Sequence, residues 1–267
     1  MFADAEAYDR FMGRWSGLLA PLLVDFTGLP DAAGPALDAG SGTGALAFSI
    51  AKIHMMNIGI AGSGQVGGTL GTRWAAAGHR VAFGSRHPGS DEMKALAKTA
   101  GPNARVVPVA EAVASSEIVL LATPWGDATR DALSSNGPWS GKILIDATNP
   151  LLPRLEGLEL GTSTSGAELV AQWAPGARVV KAFNTVGFNV MADPLFGAVP
   201  AVMFYCGDGT EAKQTVRQLA AELGFDPQDA GPLTQARLLE PLALLWISLA
   251  LQQGFGREIG FQLLRRG

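Results

Sequence analysis

The chain has 267 residues with 24 acidic and 20 basic side chains, a net charge of −4 and a hydrophobic fraction of 48%. That composition excludes a disordered chain, and the acidic balance argues against nucleic-acid binding. The lone cysteine, Cys206, excludes an intramolecular disulfide and fits a reducing, cytoplasmic setting.

The first residues carry Asp4 and Glu6 rather than a basic stretch, so no secretory signal is read there. Tyr8–Ser16 precedes an apolar, helix-like stretch, and the run Ala36-Leu37-Asp38-Ala39-Gly40-Ser41-Gly42-Thr43-Gly44 follows. This opening resembles the start of a class I S-adenosylmethionine-dependent methyltransferase, including its glycine-rich first motif. Nothing like the next strand of such a domain, with its ribose-binding acid, comes after it. Residues 1–55 are therefore read as a leader fragment from a fusion or a truncated neighbouring gene, without methyltransferase activity. Ile53-His54-Met55-Met56 reads as a restart, so His54 is a junction residue and no metal site is expected. The unit from Met56 is expected to fold unaided.

Asn57 to Arg86 reads as strand, tight turn, helix and strand, in about the thirty residues that a dinucleotide-binding unit needs. Gly62-Ser63-Gly64-Gln65-Val66-Gly67 matches G-x-G-x-x-G after the apolar run Ile58–Ala61. Among 34 glycines the motif alone is weak, and an ordinary glycine-rich turn would match it too. The flanking strand and helix favour a nucleotide, with the helix N-terminus facing its pyrophosphate. The second strand ends in Ser85-Arg86, where NAD-preferring folds place an acid. Arg and Ser suit a 2′-phosphate through charge-assisted hydrogen bonds, which points to NADP(H). The alternative is a solvated surface arginine.

Ser90-Asp91-Glu92 opens a helix, and Arg105–Val109 reads as a third strand before a short helix over Glu111–Ser116. Ile118–Ala122 is an unbroken apolar run, as a strand buried on both faces should be, and it ends at Thr123-Pro124-Trp125. Lys142–Asp146 is the next strand, ending at Asn149-Pro150. Alternating strands and helices predict an α/β fold, a Rossmann-type doubly wound parallel sheet. Thr123, Pro124, Asn149 and Pro150 then face the nicotinamide half of the cofactor, although Asn149-Pro150 reads equally well as a simple turn.

Ser165–Trp173 is read as a helix, Arg178–Phe183 as a strand, Val202–Tyr205 as a strand and Glu211–Leu223 as an amphipathic helix stopped by Gly224. Asp229–Leu233 is a turn into a final apolar helix over Thr234–Gln253 that carries Glu240 and Trp246. Its apolar run, Leu242–Leu251, is too short to span a bilayer. Leu242, Leu245, Trp246 and Leu249 exceed what one small domain covers, which predicts a homodimer through this helix. Lys181 and Asn184 either touch a substrate or cap a strand. His79 and His87 flank the second strand near the adenosine end and are read as surface or phosphate-side residues.

From Met56 onward the chain resembles the NADPH-dependent coenzyme F420 reductases, also called F420H2:NADP oxidoreductases, to which a cytosolic domain of membrane ferric reductases is related. The matching stretches are Asn57–Gly67, Gly84–Arg86, Thr123–Trp125, Asn149-Pro150, Lys181–Thr185 and Asp229–Leu233 through Glu240. The resemblance implies an NADP-binding Rossmann domain over residues 56–151 and a smaller C-terminal α/β domain for substrate and dimerisation over 152–267. It implies cofactor contacts from Gly62, Ser63, Gly64, Gln65, Val66, Ser85, Arg86, Thr123, Pro124 and Asn149. It places the deazaflavin, coenzyme F420, near Asn184, Thr185, Val186, Gly187 and Ile259. A position that is basic in some members, four residues after Arg86, is Ser90 here, which removes one contact to the 2′-phosphate.

The expected activity is hydride transfer between NADP(H) and F420. Both reacting rings are themselves reactive, so no catalytic acid, base or nucleophile is named. An NADPH-dependent reductase of a flavin or ferric chelate is the alternative, and a non-catalytic NADP(H) sensor is a third reading. Small-molecule acceptors, and no nucleic acid or membrane, are the expected partners.

Overall fold

The structure, a computed structural model, describes residues 55–266. The methyltransferase-like run and the reading of His54 lie outside the described residues. From Met56 the chain forms one compact unit.

The strands are β1 (Asn57–Ala61), β2 (Arg80–Ser85), β3 (Ala104–Pro108), β4 (Ile118–Leu121), β5 (Ile143–Asp146), β6 (Arg178–Lys181), β7 (Leu195–Phe196), β8 (Val199–Pro200), β9 (Val202–Gly207) and β10 (Asp226–Asp229). The helices are α1 (Gln65–Ala76), α2 (Asp91–Ala100), α3 (Val109–Ala114), α4 (Asp127–Ser134), α5 (Gly166–Trp173), α6 (Phe188–Ala192), α7 (Thr210–Glu222) and α8 (Ala236–Ile247). Eight strands form one sheet in the order β10-β9-β6-β5-β4-β1-β2-β3, and β7 and β8 make a separate small hairpin. All neighbours in the large sheet are parallel except β6 and β9. The architecture is the expected doubly wound α/β fold. β6, β9 and β10, from the second half of the chain, extend the same sheet.

Burial explains which segments became strands. Every residue of β4 and β5 is buried, as central parallel strands covered by helices on both faces must be. One face packs Ile60, Trp74, Phe83 and Phe183 into a core, and the other packs Leu121, Leu144, Val170 and Leu239. The edge strand β10 reads Asp-Pro-Gln-Asp and is only partly buried, so it carries no apolar signature in the sequence. Beyond α8 the chain makes one wide helical turn, Ser248–Gln252. No helix of the described residues is long and apolar enough to cross a membrane.

One expectation is corrected. His79 is only 3% exposed and stands at the amino end of β2, remote from any adenosine site at the carboxyl ends. Its Nδ1 accepts from the Met56 N–H at 3.1 Å and its Nε2 lies 2.6 Å from Glu222 Oε2. With Nδ1 used as acceptor, Nε2 carries the proton and donates to Glu222. The ring therefore ties the start of β1 to the end of α7.

Candidate functional site

The sheet reverses direction of growth between β1 and β4. β1, β2 and β3 step one way, and β4, β5 and β6 step the other. In such sheets a ligand sits in the crevice beyond the carboxyl ends of the strands at this reversal. A cavity of about 670 Å³ lies there, walled by the residues that follow β1, β2, β3 and β4. A second cavity of about 670 Å³ opens at the opposite, amino ends, beside Met56, Glu117 and Lys142. Size does not separate the two; topology does.

Of the residues expected from the sequence, the structure brings Gly62, Ser63, Gly64, Ser85, Arg86, Thr123 and Pro124 together on the wall of the first cavity. Gly62 has φ +105°, and a Cβ there would lie 2.5 Å from the Ala122 carbonyl oxygen. Ser63 Oγ donates to the Gly84 carbonyl at 2.8 Å, fastening the glycine turn to the end of β2. Gly64 precedes α1 and has nothing within 4 Å of its Cβ position, so its backbone is open to a ligand. Gln65 and Val66 are the first residues of α1; Gln65 is exposed and Val66 half-buried against the core, and neither is among the residues that line the cavity. The first amide to find an acceptor in the helix is that of Gly68, on Gly64 O at 2.7 Å. The amides of Gln65, Val66 and Gly67 therefore have no helical acceptor, as at any helix start.

At the end of β2 the Ser85 Oγ accepts from the His87 N–H at 3.0 Å, which leaves the Ser85 proton for a ligand. Arg86 and His87 are exposed on the same wall, and among the described residues neither side chain has a hydrogen-bond or ion-pair partner. Ser90 is occupied as the N-cap of α2, its Oγ accepting from Met93 N at 3.3 Å. At the end of β4 the single Thr129 proton goes to the Pro124 carbonyl at 2.8 Å. The 2.9 Å bond between Thr123 and Thr129 must then be donated by Thr123, whose lone pairs remain as acceptors. An open glycine backbone, helix-start amides and three unpartnered donors beyond β2 together fit a phosphorylated dinucleotide.

Asn149 does not line this cavity; it meets Asn184 beyond β5 and β6. Asn149 Nδ2 donates to the Asn184 carbonyl at 3.0 Å, while Asn184 Nδ2 donates to Asn149 Oδ1 and to the Leu239 carbonyl, each at 3.1 Å. Asn184 Oδ1 is buried with no partner, an acceptor left over next to the crevice. The preceding residue, Phe183, is held at φ +60°, a costly conformation for a bulky side chain. Thr185 and Val186 are buried. Gly187 and Ile259 converge on Trp246: a Cβ on Gly187 would lie 2.5 Å from the indole ring, and Trp246 Nε1 donates to the Ile259 carbonyl at 2.7 Å. Trp246 is thus core, which removes it from the exposed apolar face expected of the last helix.

Sequence reading left Lys181 open and missed what surrounds it. Lys181 is fully buried, and its Nζ lies 3.0 Å from Asp146 Oδ2, 2.9 Å from Glu240 Oε1 and 2.6 Å from the Thr148 carbonyl. Burial alone would lower its pKa; the two carboxylates more than offset that and hold it above the ordinary lysine value. Asp146 Oδ1 also accepts from Thr148 N and Oγ1, at 2.9 and 2.7 Å. Glu240 accepts from the first amides of α5, Gly166 at 2.9 Å and Ala167 at 3.1 Å. The legible signal was a lone charge in each of three apolar runs: Ile143–Asp146, Val179–Lys181 and Leu238–Leu242. Cys206 is buried, and burial pushes its thiol up to about 12, so it is not a nucleophile at neutral pH.

The fold and crevice define a Rossmann-type nucleotide-binding protein. The sequence profile of the family described as NADP oxidoreductase, coenzyme F420-dependent, matches residues 57–150. A crystal structure from Arthrobacter sp. FB24, described as an F420-dependent NADP reductase, superposes with a TM-score of 0.71 at 31% identity, covering 79% of this chain and all of that one. The F420-dependent NADP reductase of Methanothermobacter marburgensis is 29% identical over 203 residues, covering 71% of this chain and 90% of that protein. Metalloreductase STEAP3 of Rattus norvegicus is 37% identical over 194 residues, 70% of this chain, and the match spans 37% of the rat protein's length. The chain belongs to the coenzyme F420-dependent NADP oxidoreductase family.

Proposed function

We propose that the protein transfers hydride between NADP(H) and the deazaflavin coenzyme F420. The observation that carries the NADP(H) half is the end of β2, where Ser85, Arg86 and His87 offer donors and the strand end itself carries no acid, Glu92 on α2 being an acid on the same cavity lining. The F420 half is supported by the reductase of M. marburgensis, which matches along most of its length. When bound, NADPH supplies the hydride, and the acceptor takes it together with a proton from solvent. The chain's own residues position the two rings. The Gly62–Val66 turn and the start of α1 would hold the pyrophosphate, and Ser85 and Arg86 would hold the 2′-phosphate. In this reading Thr123, Pro124 and Asn149 would border the nicotinamide, and Asn184, Thr185, Val186, Gly187 and Ile259 would shape the acceptor side. Alignment and water exclusion of this kind are worth up to about 7–11 kcal/mol in well-oriented systems.

The identity to STEAP3 favours a second reading, an NADPH-dependent reductase of a flavin or ferric chelate. One assay separates them: NADPH is mixed with each acceptor and the nicotinamide absorbance is followed. Turnover with F420 alone supports the first reading. Turnover with flavin or ferric chelate alone supports the second, and binding without turnover would mark a sensor.

Replacing Arg86 with alanine is expected to weaken NADPH binding by about 1.5–3 kcal/mol, the scale of a hydrogen bond to a charged group, and to leave NADH binding nearly unchanged. Fluorescence titration of both nucleotides checks this, and equal losses would remove Arg86 from the 2′-phosphate.

The proposed assembly is a homodimer through α8, whose outer face shows Leu238 at 65% and Leu245 at 50% exposure, with Phe255 at 66% in the segment that follows. Light scattering at micromolar concentration is expected to give twice the chain mass, and Leu238→Glu with Leu245→Glu to give the monomer. A monomeric wild type would refute the dimer.

A further inference from the structure

The sheet register sets Asp146 directly beside Lys181 at the carboxyl ends of β5 and β6. Two carboxylates and one ammonium give the Asp146–Lys181–Glu240 cluster a formal charge of −1. The start of α5, whose amides meet Glu240, adds about half a positive charge, so the sum stays negative. The neighbouring Glu168 and Arg237 neutralise each other at 2.6 Å, and the nearby Asp208, bound to the Leu233 N–H, adds no positive charge.

This negative cluster forms the floor of the loops assigned above to the nicotinamide end. Thr148, gripped at its N–H and hydroxyl by Asp146 and at its carbonyl by Lys181, immediately precedes Asn149. Asn184 is tied to Asn149 and to the carbonyl of Leu239, the residue before Glu240. Hydride loss converts a neutral dihydronicotinamide into a cationic ring. A fixed negative charge in a dry floor distinguishes those two states, whereas a purely structural cluster holds both alike.

We propose that the buried Asp146–Lys181–Glu240 cluster stabilises the cationic, oxidised nicotinamide over the neutral, reduced one, and so draws hydride out of NADPH at this site. These are positioning residues that act through charge and through the Thr148–Asn149 loop. The inference rests on the NADP(H) reading.

The test is the ratio of two dissociation constants, NADP+ over NADPH, measured by titration at one pH. The wild type is expected to bind NADP+ at least as tightly as NADPH; tighter NADPH binding by more than about tenfold overturns the proposal. Glu240→Gln brings the cluster to zero charge and is expected to raise the ratio about threefold or more. Glu240→Gln combined with Lys181→Met returns the charge to −1, and the ratio is expected to return to within about twofold of wild type. Should Glu240→Gln fail to melt cooperatively, Asp146→Asn removes the same charge from the end of β5. A ratio that stays put in the folded variants, with both nucleotides weakened alike, overturns the proposal and leaves the NADP(H) reading standing. A wild type that binds neither nucleotide overturns that reading itself.

Discussion

Lys181→Met is expected to destabilise the protein by about 3–5 kcal/mol, the cost of leaving buried charge uncompensated. The methionine matches the lysine's four-atom stem but leaves Asp146 and Glu240 facing each other with no cation between them, and it strips the Thr148 carbonyl of its 2.6 Å donor. At about 2–4 °C per kcal/mol for a chain of this size, the melting temperature should fall by roughly 6–20 °C. The sign of the pH dependence is fixed by the lysine. Its folded pKa is raised, so its contribution is complete below the ordinary lysine value and is lost as pH climbs past it. Melting at neutral pH therefore reads the full effect. A fall of less than about 2 °C would show that the three charges are not the staple between β5, β6, α5 and α8.

Much of the fold was legible because local pattern and tertiary role agree. Ile118–Leu121 and Ile143–Asp146 are apolar without interruption, and they are the central strands. Ser165 caps α5, its Oγ accepting from Glu168 N at 3.2 Å. The phosphate end of the site was equally legible, because Gly62, at φ +105°, and Gly67, packed against the Gly62 carbonyl, meet backbone requirements that a side chain would break. What escaped were features fixed by distant partners. β10 is strand only because Asp226–Asp229 pairs along Val202–Tyr205; nothing in Asp-Pro-Gln-Asp asks for a strand. His79 is buried because Met56 and Glu222 converge on it from 23 and 143 residues away. The Lys181 cluster joins positions 146, 181 and 240, so each charge looked like an exception in its own segment and the three make sense only together.

Two glycines three residues apart should fail in opposite ways, and the pair tests the cofactor site more sharply than either alone. A Cβ on Gly67 would overlap the Gly62 carbonyl oxygen and press on Ile60, so α1 cannot stay seated on β1. Gly67→Ala is expected to cost about 1–3 kcal/mol or more as overpacking, visible in the melt of the nucleotide-free protein. Gly64 has φ −75° and ψ −156°, just past the edge of the extended region, and open space around its Cβ position, so alanine meets no neighbour there and only mild backbone strain. Gly64→Ala should therefore keep stability within about 1 kcal/mol, the mild strain being offset by a narrower unfolded ensemble. The same methyl stands where the pyrophosphate must approach the backbone, so NADPH affinity should drop by at least about tenfold, or 1.4 kcal/mol. Thermal melts and NADPH titrations of the two variants settle it. A Gly64→Ala protein that melts like wild type and binds NADPH like wild type would move the nucleotide off the Gly62–Val66 turn and out of the crevice between β1 and β4.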